Sequence, residues 1–148
     1  LIGFLFTQFP DYPWDDDRIG VITPYKEQKR RIERELALLY RRLNYDKTLN
    51  NKRKRRVEVS TIDGFQGQER EIIIFSSVRS AGQLGFLKDV RRMNVALTRA
   101  KSSLFLIGNA EGLTKRNKLW QALVNDARDR GMFVPFDLTL WRNMRDCV

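Results

Sequence analysis

The hydrophobic pattern of the chain alternates between two kinds of segment. Short apolar-rich runs, Ile19-Gly20-Val21-Ile22, Val57-Glu58-Val59-Ser60, Ile72-Ile73-Ile74-Phe75 and Leu104-Phe105-Leu106-Ile107-Gly108, are too brief for helices and read as strands. Strands of this composition belong in a sheet covered on both faces. Segments with helical spacing lie between them. Thr23-Pro24 predicts a helix start, with Thr23 as N-cap and Pro24 at the first helical position; Tyr25, Ile32, Leu36, Leu39 and Leu43 form its apolar stripe. A second helix is predicted over 90–101, with Asp89 as N-cap and Val90, Met93, Leu97 and Ala100 as its stripe. A third is predicted over 115–130, turning Leu119, Trp120, Leu123, Val124 and Ala127 inward and stopping at Gly131. Residues 1–9 suit the end of a helix. Apolar strands alternating with amphipathic helices predict an α/β domain with a largely parallel β-sheet flanked by helices.

In such sheets ligands bind beyond the carboxyl ends of the strands. Three polar segments, residues 23–28, 61–69 and 90–101, follow strand ends or lie near them, and they are expected to converge on one edge. In the last of these, Arg92 and Arg99 are seven residues apart. On a helix that spacing places both on one face, about 10 Å apart, with only Val95 and Ala96 between them. Two guanidiniums fixed in this way can address an anion; a surface helix with solvated arginines is the plain alternative. Gly64 and Gly67 permit a tight turn or a close approach of backbone to a ligand.

Composition narrows the partner. With 148 residues, 42% hydrophobic and 11% aromatic, the chain has enough material for one folded core. Its net charge of +10 favours a polyanionic partner. There is no histidine and only Cys147, which excludes histidine triads, His or Cys metal sites and an internal disulfide. No apolar run approaches the roughly 20 residues that span a bilayer, so no membrane role is expected. The opening residues have neither an initiating Met nor a basic leader, which suggests a piece of a longer intracellular protein. The basic run Lys52-Arg53-Lys54-Arg55-Arg56 suits a solvated loop, a nuclear-import signal or a nucleic-acid contact.

Three stretches in order carry a family resemblance. Ile19-Gly20-Val21-Ile22-Thr23-Pro24-Tyr25-Lys26-Glu27-Gln28 resembles helicase motif IV. Ser60-Thr61-Ile62-Asp63-Gly64-Phe65-Gln66-Gly67-Gln68-Glu69 resembles motif V. Residues 91–101, Arg91-Arg92-Met93-Asn94-Val95-Ala96-Leu97-Thr98-Arg99-Ala100-Lys101, resemble motif VI. Together they are similar to the C-terminal motor domain of superfamily 1B helicases, the senataxin-like group in particular. The resemblance covers most of residues 19–109. It implies a RecA-like fold and an ATP cleft shared with a first motor domain. Arg99 matches the arginine finger, whose guanidinium stabilises charge at the γ-phosphate during phosphoryl transfer. Arg92 matches the second arginine of the motif, as a second phosphate contact or a structural ion pair. Gly67 and Glu69 match positions near the nucleotide, the carboxylate suited to a ribose hydroxyl; Gln66 would sense the nucleotide or tie motif V to motif VI. Thr23 and Thr61 match positions facing the nucleic-acid backbone. Tyr25 could support that surface, although its place in the apolar stripe favours the core, as does the setting of Phe65.

The sequence holds no G-x-x-x-x-G-K-[ST] phosphate loop and no acidic magnesium-binding run after an apolar strand; Asp15-Asp16-Asp17 precedes a strand instead. In the family, these parts lie on the first motor domain, which would bind most of the ATP and Mg2+. The reading is therefore half of an ATP-dependent RNA or DNA helicase motor, inactive alone, acting on single strands in the nucleus. A non-catalytic basic nucleic-acid-binding module is the alternative. Residues 1–18 are expected to be the end of an upstream element and a connector, 19–131 the RecA-like domain, and 132–148 a tail.

Overall fold

The computed structural model describes residues 1–9, 18–43, 57–77, 89–115, 117–137, 139 and 142. Its centre is a parallel sheet in the order β2-β1-β3-β4, formed by β1 (Ile19–Thr23), β2 (Glu58–Thr61), β3 (Arg70–Ser76) and β4 (Ala100–Ile107). Alternate side chains of the inner strands feed two separate cores, which is why β1 and β3 read as unbroken apolar runs. On one face, Ile19, Val21, Val59 and Ile74 pack with Leu5 and Phe6 of α1 (Ile2–Gln8) and Leu36 of α2 (Lys26–Arg42). On the other, Ile22, Ile73 and Phe75 pack with Met93 and Ala96 of α3 (Val90–Leu97). Leu113 of α4 (Ala110–Thr114) and Trp120 of α5 (Lys118–Asp129) complete that core. Trp120 stacks on Phe75 with centroids 6.1 Å apart. Helices thus cover both faces of a parallel sheet, the RecA-like α/β arrangement expected from the sequence.

Several local expectations are corrected. The helix after β1 begins at Lys26, and its N-cap is the extended Tyr25, not Thr23. Thr23 stays in the ladder opposite Thr61 and is wholly buried, so its hydroxyl cannot turn to cap a helix. The arginine helix is shorter than the predicted 90–101. Asp89 does cap it, its Oδ1 accepting from the Arg91 and Arg92 amides at 2.9 and 3.3 Å. The helix ends at Leu97, where the Thr98 hydroxyl donates to the Asn94 carbonyl at 2.7 Å. Ala100 then pairs with Arg70 in the sheet. Arg92 and Arg99 therefore do not share a helical face: Arg99 lies between helix and strand. Ala96 points into the core, 1% exposed, while Val90, expected inward, is 46% exposed.

The predicted 115–130 helix starts at Lys118, because the Asn117 side chain accepts from the Leu119 and Trp120 amides at 2.9 and 3.2 Å. Gly131 stops it with φ +67° as expected, but Leu119 faces outward. β4 is an edge strand, so Phe105, Leu106 and Ile107 are not enclosed as a central strand would be. The basic run 52–56 lies outside the described residues. No helix among the described residues is long and apolar enough to cross a membrane. None of their His, Cys, Asp and Glu side chains forms a group that could hold a metal ion.

Candidate functional site

The segment leaving β2 assembles the site. Thr61 ends that strand, half-buried, and its Oγ1 accepts from the Gly64 amide at 3.3 Å. A short 3-10 turn, Asp63–Phe65, follows. Phe65 is fully buried and lies over Gly20 of β1, where a Cβ would approach the ring's Cζ to 2.7 Å. The absent side chain of Gly20 is what lets the ring lie against the sheet. Beyond this anchor, Gln66, Gly67 and Glu69 are all exposed. The turn is closed by the Gln68 amide donating to the Phe65 carbonyl at 3.2 Å.

Gly67 adopts φ +79°, and a Cβ built there meets nothing within 4 Å. The turn demands glycine for its backbone, not for space. Gly67→Ala is therefore expected to cost about 1–2 kcal/mol and lower the melting temperature by roughly 2–8 °C. A thermal melt checks this, and an unchanged midpoint would contradict the assigned backbone.

Arg70 ends the turn and begins β3. Its amide donates to the Arg99 carbonyl at 3.0 Å, which seats Arg99 beside the turn at the amino end of the sheet. The Arg99 Nη2 donates to the Thr98 hydroxyl at 3.1 Å, while its Nε is buried without a hydrogen-bond partner among the described residues. A buried guanidinium donor with no partner among the described residues is costly unless another group meets it. Arg92 lies elsewhere: its Nε donates to Asp63 Oδ1 at 3.1 Å and stands 4.0 Å from Asp89 Oδ2. This is an ion pair tying the arginine helix to the 3-10 turn.

The predicted site residues thus fall at the two ends of the sheet. Arg99 and the 66–69 turn lie at the amino ends of β3 and β4. Thr23 and Thr61 are register partners at the carboxyl ends of β1 and β2. The seven residues of β3 separate these ends by about 20 Å. The expected convergence is only partial: where β2 ends, Thr61 pairs with Thr23 and Asp63 pairs with Arg92, but residues 66–69 and Arg99 lie at the other end. Thr23 is closed from solvent, its Oγ1 without a hydrogen-bond partner among the described residues. Tyr25 is half-buried at the head of α2.

Asp63, Glu58 and Arg70 were not among the predicted site residues, yet they hold this arrangement together. The Arg70 guanidinium takes the Glu58 carboxylate, Gln68 Oε1 at 2.8 Å and the Glu69 carbonyl at 2.7 Å, leaving the Glu69 carboxylate exposed. Only Asp63 had a sequence signal, an acid placed between Ile62 and Gly64 at a turn.

Comparison with known proteins identifies the family. A family model described as "AAA domain" matches residues 1–111. Helicase SEN1 of Saccharomyces cerevisiae is 44% identical over 88% of this chain and 6% of its own length. ATP-dependent helicase NAM7 of the same yeast is 45% identical over 80% of this chain and 12% of its own length. A regulator of nonsense transcripts 1 homolog of Drosophila melanogaster is 41% identical over 80% of this chain and 10% of its own length. The chain therefore spans only 6–12% of the length of these curated relatives. With an AAA domain match over most of its length and a parallel sheet flanked by helices, the chain belongs to the AAA domain family, among superfamily 1 helicases of the Sen1 and nonsense-transcript-regulator kind, as part of their motor region.

Proposed function

We propose that this chain is the second motor domain of an ATP-dependent RNA or DNA helicase of the senataxin-like group, supplying one wall of an ATP cleft and part of a single-strand track. The observation that carries this reading is the hydrogen bond from the Arg70 amide to the Arg99 carbonyl, which brings Arg99 to the exposed 66–69 turn. In this reading ATP supplies the phosphoanhydride whose hydrolysis drives movement. Arg99 swings from Thr98 and offers its guanidinium to the γ-phosphate, its Nε, which has no partner among the described residues, gaining an acceptor. Glu69 accepts a ribose hydroxyl, Gly67 lets backbone approach the phosphates, and Gln66 senses the nucleotide. Arg92, already paired with Asp63, takes the structural role, tying the arginine helix to the 3-10 turn. Mg2+ would be held mainly by the first RecA-like domain, where the family carries its acidic magnesium-binding run.

Thr61, Tyr25 and the uncapped amides at the head of α2 form the nucleic-acid side, with Thr23 beneath them. Placing strand and nucleotide at opposite ends of one sheet suits a motor in which closure of the cleft shifts the strand across two domains. A nuclear site of action is part of this reading, and the basic run 52–56 suits it.

The test is reconstitution. Joined to a phosphate-loop domain of its own protein, the chain should hydrolyse ATP when single strand is added, and alone it should not. The net charge of +10 also favours the alternative of a basic binding module. That alternative gains if the joined protein binds strand tightly, loses it with salt and with neutralisation of Lys52, Arg53, Lys54, Arg55 and Arg56, and never hydrolyses ATP.

A further inference from the structure

We propose that Arg70 is the positioning residue that fixes the 66–69 turn against Arg99; this rests on the reading of that turn as the nucleotide-facing one. Its side chain is only 13% exposed, and its contacts converge from three directions. One arm of the guanidinium pairs with Glu58, at the head of β2 across the intervening β1, and also donates to Gln68 Oε1 at 2.8 Å. The other arm donates to the Glu69 carbonyl at 2.7 Å. The guanidinium carbon lies over the Phe65 ring, 5.4 Å from its centroid. Meanwhile the residue's own amide holds the Arg99 carbonyl.

One side chain thus grips both ends of the turn, Phe65 and Gln68-Glu69, while its backbone grips the segment that carries the catalytic arginine. A planar fork can make these contacts together, whereas an ammonium is a single point charge that cannot lie flat on a ring and reach both arms' acceptors. Glu58 anchors the fork to the sheet. Arg70 touches no reacting atom in this account; it acts through Glu69 and Arg99.

The test compares Arg70→Lys and Glu58→Gln with the parent full-length protein. Arg70→Lys is expected to speed amide exchange at Gln68 about tenfold, with Val21 and Ile74 in the sheet interior unchanged. The KM for ATP should rise about fivefold or more, with kcat and nucleotide-free strand binding changing less. Glu58→Gln should move the same readouts in the same direction by less. Unchanged exchange at Gln68, or equal acceleration through β1 and β3, would overturn the positioning role. Faster exchange confined to the turn with an unmoved KM would leave Arg70 as the turn's clasp and overturn the assignment of that turn to nucleotide.

Discussion

Replacing Arg99 with alanine is expected to lower strand-stimulated ATP hydrolysis by the full-length protein about 1,000-fold or more, with a melting temperature within a few degrees of the parent. The two halves of this expectation come from the same geometry. The Arg99 guanidinium is held by the neighbouring Thr98 hydroxyl and pairs with no acid among the described residues, so its loss removes little from the fold. Its backbone carbonyl, which alanine retains, carries the bond to β3. What disappears is a positive charge placed beside the exposed turn, and such charge is worth most where it accumulates in the transition state. Arg99→Lys should recover only a small part of the rate, because an ammonium lacks the two-pronged geometry. Steady-state ATPase assays with and without single strand check both variants. A rate within a few-fold of the parent would remove Arg99 from the chemistry.

The largest expected effect on stability is at Phe65. Phe65→Ala should cost about 3–5 kcal/mol and lower the melting temperature by roughly 6–20 °C. The ring is fully enclosed, fills the space above Gly20 in the same core as Ile73, and supports the Arg70 guanidinium. Removing it leaves a cavity that the backbone of β1 cannot close, because β1 is paired on both sides. The turn that Phe65 anchors should loosen together with the core. Denaturant and thermal unfolding of the chain measure this. A ring that served as a stacking platform for bases would behave differently: its loss would weaken strand binding and leave the unfolding midpoint nearly unchanged.

What could be read from the sequence follows from where the information lies. The strands were visible because β1 and β3 feed a core on each face and so carry apolar residues at nearly every position. The two-faced α/β arrangement followed from their alternation with amphipathic segments. Residues 66–69 and Arg99 could be singled out as candidates because their motifs are contiguous strings. Boundaries fared worse wherever the sheet overrode a local signal. Thr23-Pro24 has the local form of a helix start, yet pairing with Thr61 keeps Thr23 extended. Residues 98–101 continue a helical spacing, yet Arg99 and Ala100 are drawn into pairing with Arg70. The shared face of Arg92 and Arg99 was lost with that turn of helix.

The contacts that shape the site were the least legible. Arg92 meets Asp63 from 29 residues away, and Arg70 reaches Glu58 across a neighbouring strand. Nothing in the local pattern marks either pair, since any surface arginine beside an acid would look the same. They become visible only once the strand order is known. The half-exposed β4 is a similar case: its composition is that of a central strand, and only its place at the sheet edge exposes Phe105, Leu106 and Ile107.

The central claim is that Arg99 and the 66–69 turn form one wall of an ATP site. Its most direct test is a structure of the full-length protein bound to single strand, Mg2+, ADP and aluminium fluoride as a mimic of the transferring phosphoryl group. The expected result is the Arg99 guanidinium within about 3 Å of the fluoride group, its bond to Thr98 exchanged, and Glu69 facing the ribose. An Arg99 still held on Thr98, with the 66–69 turn facing solvent away from the nucleotide, would contradict it.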